Sequence, residues 1–397
     1  MIRIQRRPAP ILTIHCLRLY LVWISFAALI ALLIWSRVLD RPMSRYVVYY
    51  SSGTNETGVQ SAPLLTLTTT CGSSADRLIV CKNAIMNWAR LSTNVNLILF
   101  DTDPELRLLG ETFGWLTVRP PSTLYGLPVL KELFIRAQQL YSTPYYGYAN
   151  GDLLFTDDLL VTLRAISGYH FHGNKGLLIV GRRTNFNLTD LSSAHRYSFE
   201  EVRWRALNGS LFQYNAQDYF IVTKDSFFWP DLPNFVVGRV AYDNWLVTRA
   251  ILDRVLVVDA TDTILALHQT GRGGNFEGHK SRLLKGKQKE SASVNEKLAG
   301  RWYSYDLGRT FCSDLLTTWS PDGRHVVLKT RRKWGIRCMI GFRKWNILPV
   351  DVRWTARSST IDADHLERRV VYEKKNDRKL DRPKQGIQLM SLTIIYI

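Results

Sequence analysis

From residue 64 to residue 258, short β-rich apolar runs alternate with segments of helical period, and this alternation constrains the fold more than any other feature. Residues 64–70 (LLTLTTT), 95–100 (VNLILF), 116–118, 145–149 (YYGYA), 176–180, 219–222 and 255–258 read as strands. Between them, residues 75–91, 104–113, 129–140, 199–207 and 242–252 have helical period, and another helix is expected from Thr156-Asp157-Asp158. Alternating units of this length predict an α/β fold, a mostly parallel sheet with helices on both faces. With 46% hydrophobic residues in 397, the chain can bury a sizeable core.

Upstream, residues 19–35 (LYLVWISFAALIALLIW) form an apolar run without a charge. At a rise of about 1.5 Å per residue, a run near this length spans the hydrocarbon core of a bilayer. Arg3, Arg6, Arg7 and Arg18 precede it, whereas Arg37, Arg41 and Arg45 follow with Asp40 among them, a small positive-inside bias. The organisation expected is a cytosolic tail (1–18), one transmembrane signal anchor (19–36), a polar stem (37–63), a catalytic domain (64–280) and a basic extension (281–397). A cleaved signal peptide is the alternative, but its apolar region is normally shorter and ends in a small-residue cleavage site. Sequons at Asn55, Asn187 and Asn208 lie beyond the anchor, which fits a lumenal body in the Golgi or endoplasmic reticulum membrane. Of the five cysteines, Cys16 sits at the membrane, which leaves Cys71, Cys81, Cys312 and Cys338 for two lumenal disulfides. Three pairings are open, of which Cys71–Cys81 and Cys312–Cys338 are the local ones.

The net charge of +18 is concentrated at the end: residues 281–397 hold 25 Lys and Arg against 12 Asp and Glu. Such a charge alone suggests nucleic acid, but no nucleic-acid motif is present and a lumenal body would not meet one. Five tryptophans, from Trp302 to Trp354, mark this region as partly ordered.

In an open parallel sheet, ligands collect outside the carboxyl ends of the strands. Asp101 and Asp103 follow one strand, and Asn150-Gly151-Asp152 follows another. An apolar strand ending in Asn-x-Asp sets two oxygen-bearing side chains on an extended turn, the kind of ligand Mg²⁺ or Mn²⁺ prefers. The bland reading is a surface turn, since Asn, Gly and Asp are common turn residues.

The segment 148–160 (YANGDLLFTDDLL) resembles the metal-binding D-x-D segment of GT-A-fold nucleotide-diphospho-sugar transferases, in a variant with Asn first. The resemblance spans roughly 64–269 in its β/α alternation. It implies that Asp152, then Asn150, contacts a divalent metal bridging the diphosphate of a nucleotide-sugar donor, and that His268 completes the metal shell. Thr68, Asp101 and Asp103 would meet the base or ribose, and Arg182 would neutralise the diphosphate. Arg183 and Lys131 are candidates for the same role, although the preferred reading of both is a solvated surface charge. Residues 218–247 resemble the acceptor side of the same family, with Asp243 opening a helix as general base, or as a plain helix-start Asp. The function implied is transfer of a sugar to a hydroxyl on a glycan, glycoprotein or glycolipid. The competing reading is a non-catalytic scaffold on a degenerate transferase fold, its basic extension gripping a polyanion.

Overall fold

The computed structural model describes residues 62–72, 75–171, 176–189, 192–271, 287–300, 307–331, 336–344 and 354–356. The chain divides into two units, 1–50 and 51–397, and every described residue belongs to the second. The expected tail, anchor and most of the stem, with Asn55, lie outside the described residues. Among the described residues no helix is long and apolar enough to cross a membrane.

The elements that position the site are β1 (Leu65–Thr69), α1 (Ala75–Trp88), β2 (Val95–Phe100), α2 (Pro104–Thr112), β3 (Leu116–Val118), α3 (Leu130–Leu140), β4 (Tyr145–Ala149), β5 (Leu153–Phe155) and α4 (Asp158–Ser167). They continue as β6 (Leu177–Arg182), β7 (Thr184–Asn187), α5 (Phe199–Leu207), β8 (Ser210–Leu211), β9 (Gln217–Thr223), α6 (Tyr242–Leu252), β10 (Leu256–Asp259), β11 (Ala266–Thr270), β12 (Leu315–Trp319) and β13 (Val326–Thr330). A nine-stranded sheet runs β13-β12-β10-β6-β9-β4-β1-β2-β3. Its strands are parallel except β9, antiparallel to both neighbours, and the edge strand β13. A smaller sheet runs β8-β7-β11-β5.

Successive side chains of a strand point to opposite faces, and here both faces are covered. Leu97, Leu99, Tyr145, Ile179, Ile221 and Val258 pack with Ala84, Ile85 and Trp88 of α1 and with Leu159 and Leu163 of α4. Ile98, Phe100, Tyr146, Tyr148, Val180, Phe220 and Val257 pack with α3 and α6 on the other side. Leu130, Leu133, Phe134 and Ala137 of α3 recur at the i, i+3, i+4, i+7 spacing that makes one apolar stripe. The two-faced α/β architecture expected from the sequence is the observed one.

Two stretches differ from expectation. The helix expected from Thr156-Asp157-Asp158 is present from Asp158, but residues 153–155 before it form β5, a strand not expected from the sequence. Residues 315–330, assigned to the basic extension, add β12 and β13 to the large sheet. Arg331 Nη2 to Asp259 Oδ2 (2.7 Å) and the Cys312–Cys338 disulfide tie this segment down. Cys71–Cys81 is the second disulfide, so both local pairings are formed.

Candidate active site

Strand direction decides which residues meet. β1, β2, β4, β6 and β10 all end at one edge of the sheet, and antiparallel β9 begins there. That edge therefore carries Asn150-Gly151-Asp152 from β4, Arg183 from the end of β6 and Asp218 from the start of β9. Asn150 N–H donates to the Asp218 carbonyl at 2.9 Å, locking the turn to the neighbouring strand. A Cβ on Gly151 would lie 2.8 Å from the Thr70 carbonyl oxygen and 3.3 Å from Cys81 Sγ. Glycine is required because the turn lies against β1 and the Cys71–Cys81 disulfide, which is no place for a free surface turn.

The small sheet supplies the next residue. β11 pairs antiparallel with β5, His268 opposite Leu153, so the imidazole stands beside Asp152. His268 Nε2 is 3.2 Å from Asp152 Oδ2, with the His side chain 2% and the Asp side chain 13% exposed. Asp152 Oδ1 and His268 Nδ1 are buried without a hydrogen-bond partner. Burial alone would raise the Asp152 pKa, but His268, Arg77 and Arg183 hold its carboxyl down at about 2. Gln269 fixes the backbone here, its N–H donating to the Asp152 carbonyl at 3.1 Å.

These groups fit a hard divalent cation. Two donors each about 2.1 Å from one cation at right angles lie about 3 Å apart, close to the observed separation of His268 Nε2 and Asp152 Oδ2. A cation bound there would take the neutral imidazole, with Nε2 free of its proton. Asn150 Oδ1 is the further oxygen, 3.5 Å from the Tyr242 hydroxyl. Among the described residues no cluster of three or more His, Cys, Asp or Glu side chains forms a cation site, so the remaining ligands would come from substrate and water.

Asp243 sits in the first turn of α6, after Ala241 at φ 82°, a left-handed conformation that is strained for a residue with a Cβ. Burial pushes its carboxyl up to about 7; the N–H groups of Asn244 and Gln217 oppose the rise, and the charge of Asp218 adds to it. The Tyr242 phenol is raised by burial and then by the charges of Tyr148, Asp243, Asp218 and Asp152.

The other sequence candidates stand apart from this cluster. Thr68 Oγ1 donates to the Gly147 carbonyl inside the sheet (3.0 Å). Asp101 accepts from the N–H groups of Thr102, Asp103 and Cys71, and Asp103 caps α2. Arg182 turns toward the 212–214 loop, donating to the Phe212 carbonyl at 2.6 Å with its guanidinium 4.0 Å over the Tyr214 ring. Lys131 binds the carbonyls of Pro230 and Leu232. Arg183, read from the sequence as a solvated charge, is buried at 9% exposure and paired with Asp218. Its partner lies 35 residues away, so no local signal marks it. Tyr148 and Tyr242 were likewise invisible as site residues, since aromatic residues in apolar elements read as core.

No protein-family model matches the chain, and no curated protein matches it. Similar solved structures include a mannosyltransferase from Pyrobaculum calidifontis in complex with GDP-Man and Mn²⁺, at 11% identity and TM-score 0.34, covering 64% of this chain and 68% of that chain. Glucosyl-3-phosphoglycerate synthase from Mycobacterium tuberculosis, in complex with Mn²⁺ and UDP-glucose, matches at 11% identity and TM-score 0.34, covering 68% of this chain and 86% of that chain. The likeness is to nucleotide-sugar transferases, as the sequence resemblance implied. Overlap this loose carries no argument about activity, which must come from the residues at the sheet edge.

Proposed function

We propose that the chain is a divalent-metal-dependent glycosyltransferase that moves a sugar from a nucleotide-diphosphate donor to a hydroxyl acceptor. The observation that carries the reading is the buried, unpartnered Asp152 Oδ1 beside His268 at the carboxyl end of a central strand. A buried carboxylate oxygen without a donor costs stability, and functional sites are where such a cost is retained.

Asp152, His268 and Asn150 Oδ1 would hold the metal, which when bound neutralises charge on the departing diphosphate. Arg183, at the same edge, is ion-paired with Asp218. Asp243, with its carboxyl near 7, is suited to take the proton of the acceptor hydroxyl. As that oxygen bonds to the anomeric carbon, the bond to the donor phosphate breaks and the diphosphate leaves with its electron pair. Direct displacement of this kind inverts the anomeric centre. Thermal melts of the protein against a panel of nucleotide sugars should show one donor that raises the melting temperature only with Mn²⁺ present. No shift with any donor would favour the scaffold reading.

The compartment proposed is the Golgi or endoplasmic reticulum membrane, with residues 19–36 as a single anchor and the body lumenal. Two disulfides and the exposure of Asn187 and Asn208 support it. Glycosidase treatment of protein made in eukaryotic cells should lower its apparent mass; unchanged migration of sequon variants at Asn55, Asn187 and Asn208 would remove that support.

A further inference from the structure

The first position of the Asn-Gly-Asp turn is neutral, and a carboxylate stands next to it on another strand. β9 runs antiparallel to β4 with Tyr219 opposite Ala149, which brings Asp218 level with Asn150. Asn150 Nδ2 donates to Asp218 Oδ1 at 3.0 Å, and Arg183 Nη1 donates to Asp218 Oδ2 at 2.5 Å. Asp218 and Arg183 are 8% and 9% exposed, and the guanidinium lies 4.3 Å over the Phe212 ring. Three strand ends, of β4, β6 and β9, are thus joined through one carboxylate.

An ionised carboxylate only accepts hydrogen bonds, whereas an amide has one accepting and one donating end of nearly the same shape. Asp218 therefore decides which way the Asn150 amide turns. Nδ2 must face Asp218, and Oδ1 must face away, toward the side where the Tyr242 hydroxyl lies. With a partner able both to donate and to accept, the flipped amide would be equally stable and would present N–H groups, which repel a cation. Arg183 keeps the arrangement from carrying a lone buried charge. A second carboxylate at position 150 would instead stand against Asp218, and like charges that close disfavour ionisation of both.

We propose that Asp218, paired with Arg183, is a positioning residue that fixes the Asn150 amide so that Oδ1 serves as an oxygen ligand to the cation held by Asp152 and His268. The proposal rests on the metal-binding reading above. A merely structural role for the Asp218–Arg183 pair would hold the three strand ends together and leave Mn²⁺ affinity untouched once the protein folds.

The test is titration of the full-length protein with Mn²⁺ alone, read from the electron paramagnetic resonance signal of free Mn²⁺, beside melting curves without metal. Asn150→Ala, which keeps the Asp218–Arg183 pair but strips Asp218 Oδ1 of its amide donor, should fold with a lowered melting temperature and bind Mn²⁺ about 10- to 100-fold more weakly; Asp218→Asn should weaken binding to the same degree. The exchange Asn150→Asp with Asp218→Asn moves the charge but leaves an oxygen facing the cation from either end of the carboxylate, and should recover affinity to within about threefold of the parent, a coupling that independent effects would not give. Parent-like affinity in Asn150→Ala, or an exchange variant as weak as Asp218→Asn, overturns the proposal. Should Asp218→Asn fail to fold, the exchange variant decides with Asn150→Ala as its reference, and an exchange variant as weak as Asn150→Ala overturns the proposal. A parent that binds no Mn²⁺ removes the metal reading and this inference together; binding lost in Asp152→Asn but kept in Asn150→Ala removes this inference only.

Discussion

The turn after β2, Asp101-Thr102-Asp103, and the turn after β4, Asn150-Gly151-Asp152, stand on either side of β1 at the same edge of the sheet. By composition the first is the better cation site, with two carboxylates against one. Three of its four oxygens are already in use. Asp101 Oδ1 accepts from the N–H groups of Thr102 (2.7 Å) and Asp103 (2.8 Å), Asp101 Oδ2 from that of Cys71 (3.2 Å), and Asp103 Oδ1 from those of Glu105 and Leu106 at the start of α2. In the second turn Asp152 keeps one oxygen without a partner and sets the other against a histidine. Binding capacity follows the lone pairs that folding leaves over, and the count of acidic residues is a poor guide to it.

The contrast is sharpened most by Asp243, whose carboxyl feels the charge of Asp218 beside the second turn. Asp243→Asn should keep Mn²⁺ and donor affinity near the parent and lower transfer by a factor of about 10² to 10⁴ in single-turnover assays. Retained transfer would remove Asp243 from the mechanism.

A smaller effect is the pH dependence. The base works as the carboxylate, so the parent's transfer rate should rise about tenfold per pH unit and level off above the folded-state value of about 7. The same group affects stability with the opposite sense. Its folded pKa lies above the ordinary 3.8, so its contribution is fully present below that value and is lost as pH rises through about 7. Melting curves of the parent should lose this increment between those limits, and those of Asp243→Asn should not. A flat rate profile across that window would contradict the assignment.

The smallest effect falls on the first turn. Asp103→Ala removes the cap of α2 and should cost about 0.5–2 kcal/mol in urea unfolding, with no change in Mn²⁺ affinity. Loss of metal binding in that variant would make the two turns parts of one site.

Much of the scaffold is legible in the sequence, because strands such as Val95–Phe100 and Tyr145–Ala149 are buried on both faces and read as short unbroken apolar runs. The turn at Asp152 and the helix-start Asp243 are visible for the same reason, each marking the end or beginning of a strong element. What escapes is long-range pairing. Leu153–Phe155 looks like the approach to a helix until β11, more than 100 residues later, pairs with it and delivers His268. Arg183 looks like a surface cation until antiparallel β9 brings Asp218 to it. Strands β12 and β13 sit in a basic, weakly periodic stretch whose place in the sheet depends on contacts with β10 and on a disulfide.

The comparison of the two turns can be decided by one measurement, a Mn²⁺ titration followed by electron paramagnetic resonance on the parent, Asp152→Asn and Asp103→Ala. Removing the charged oxygen donor at the center of the cluster should abolish saturable binding in Asp152→Asn, while the parent and Asp103→Ala bind alike. Saturable binding that survives in folded Asp152→Asn and disappears in Asp103→Ala would contradict the account and place the cation at the turn after β2.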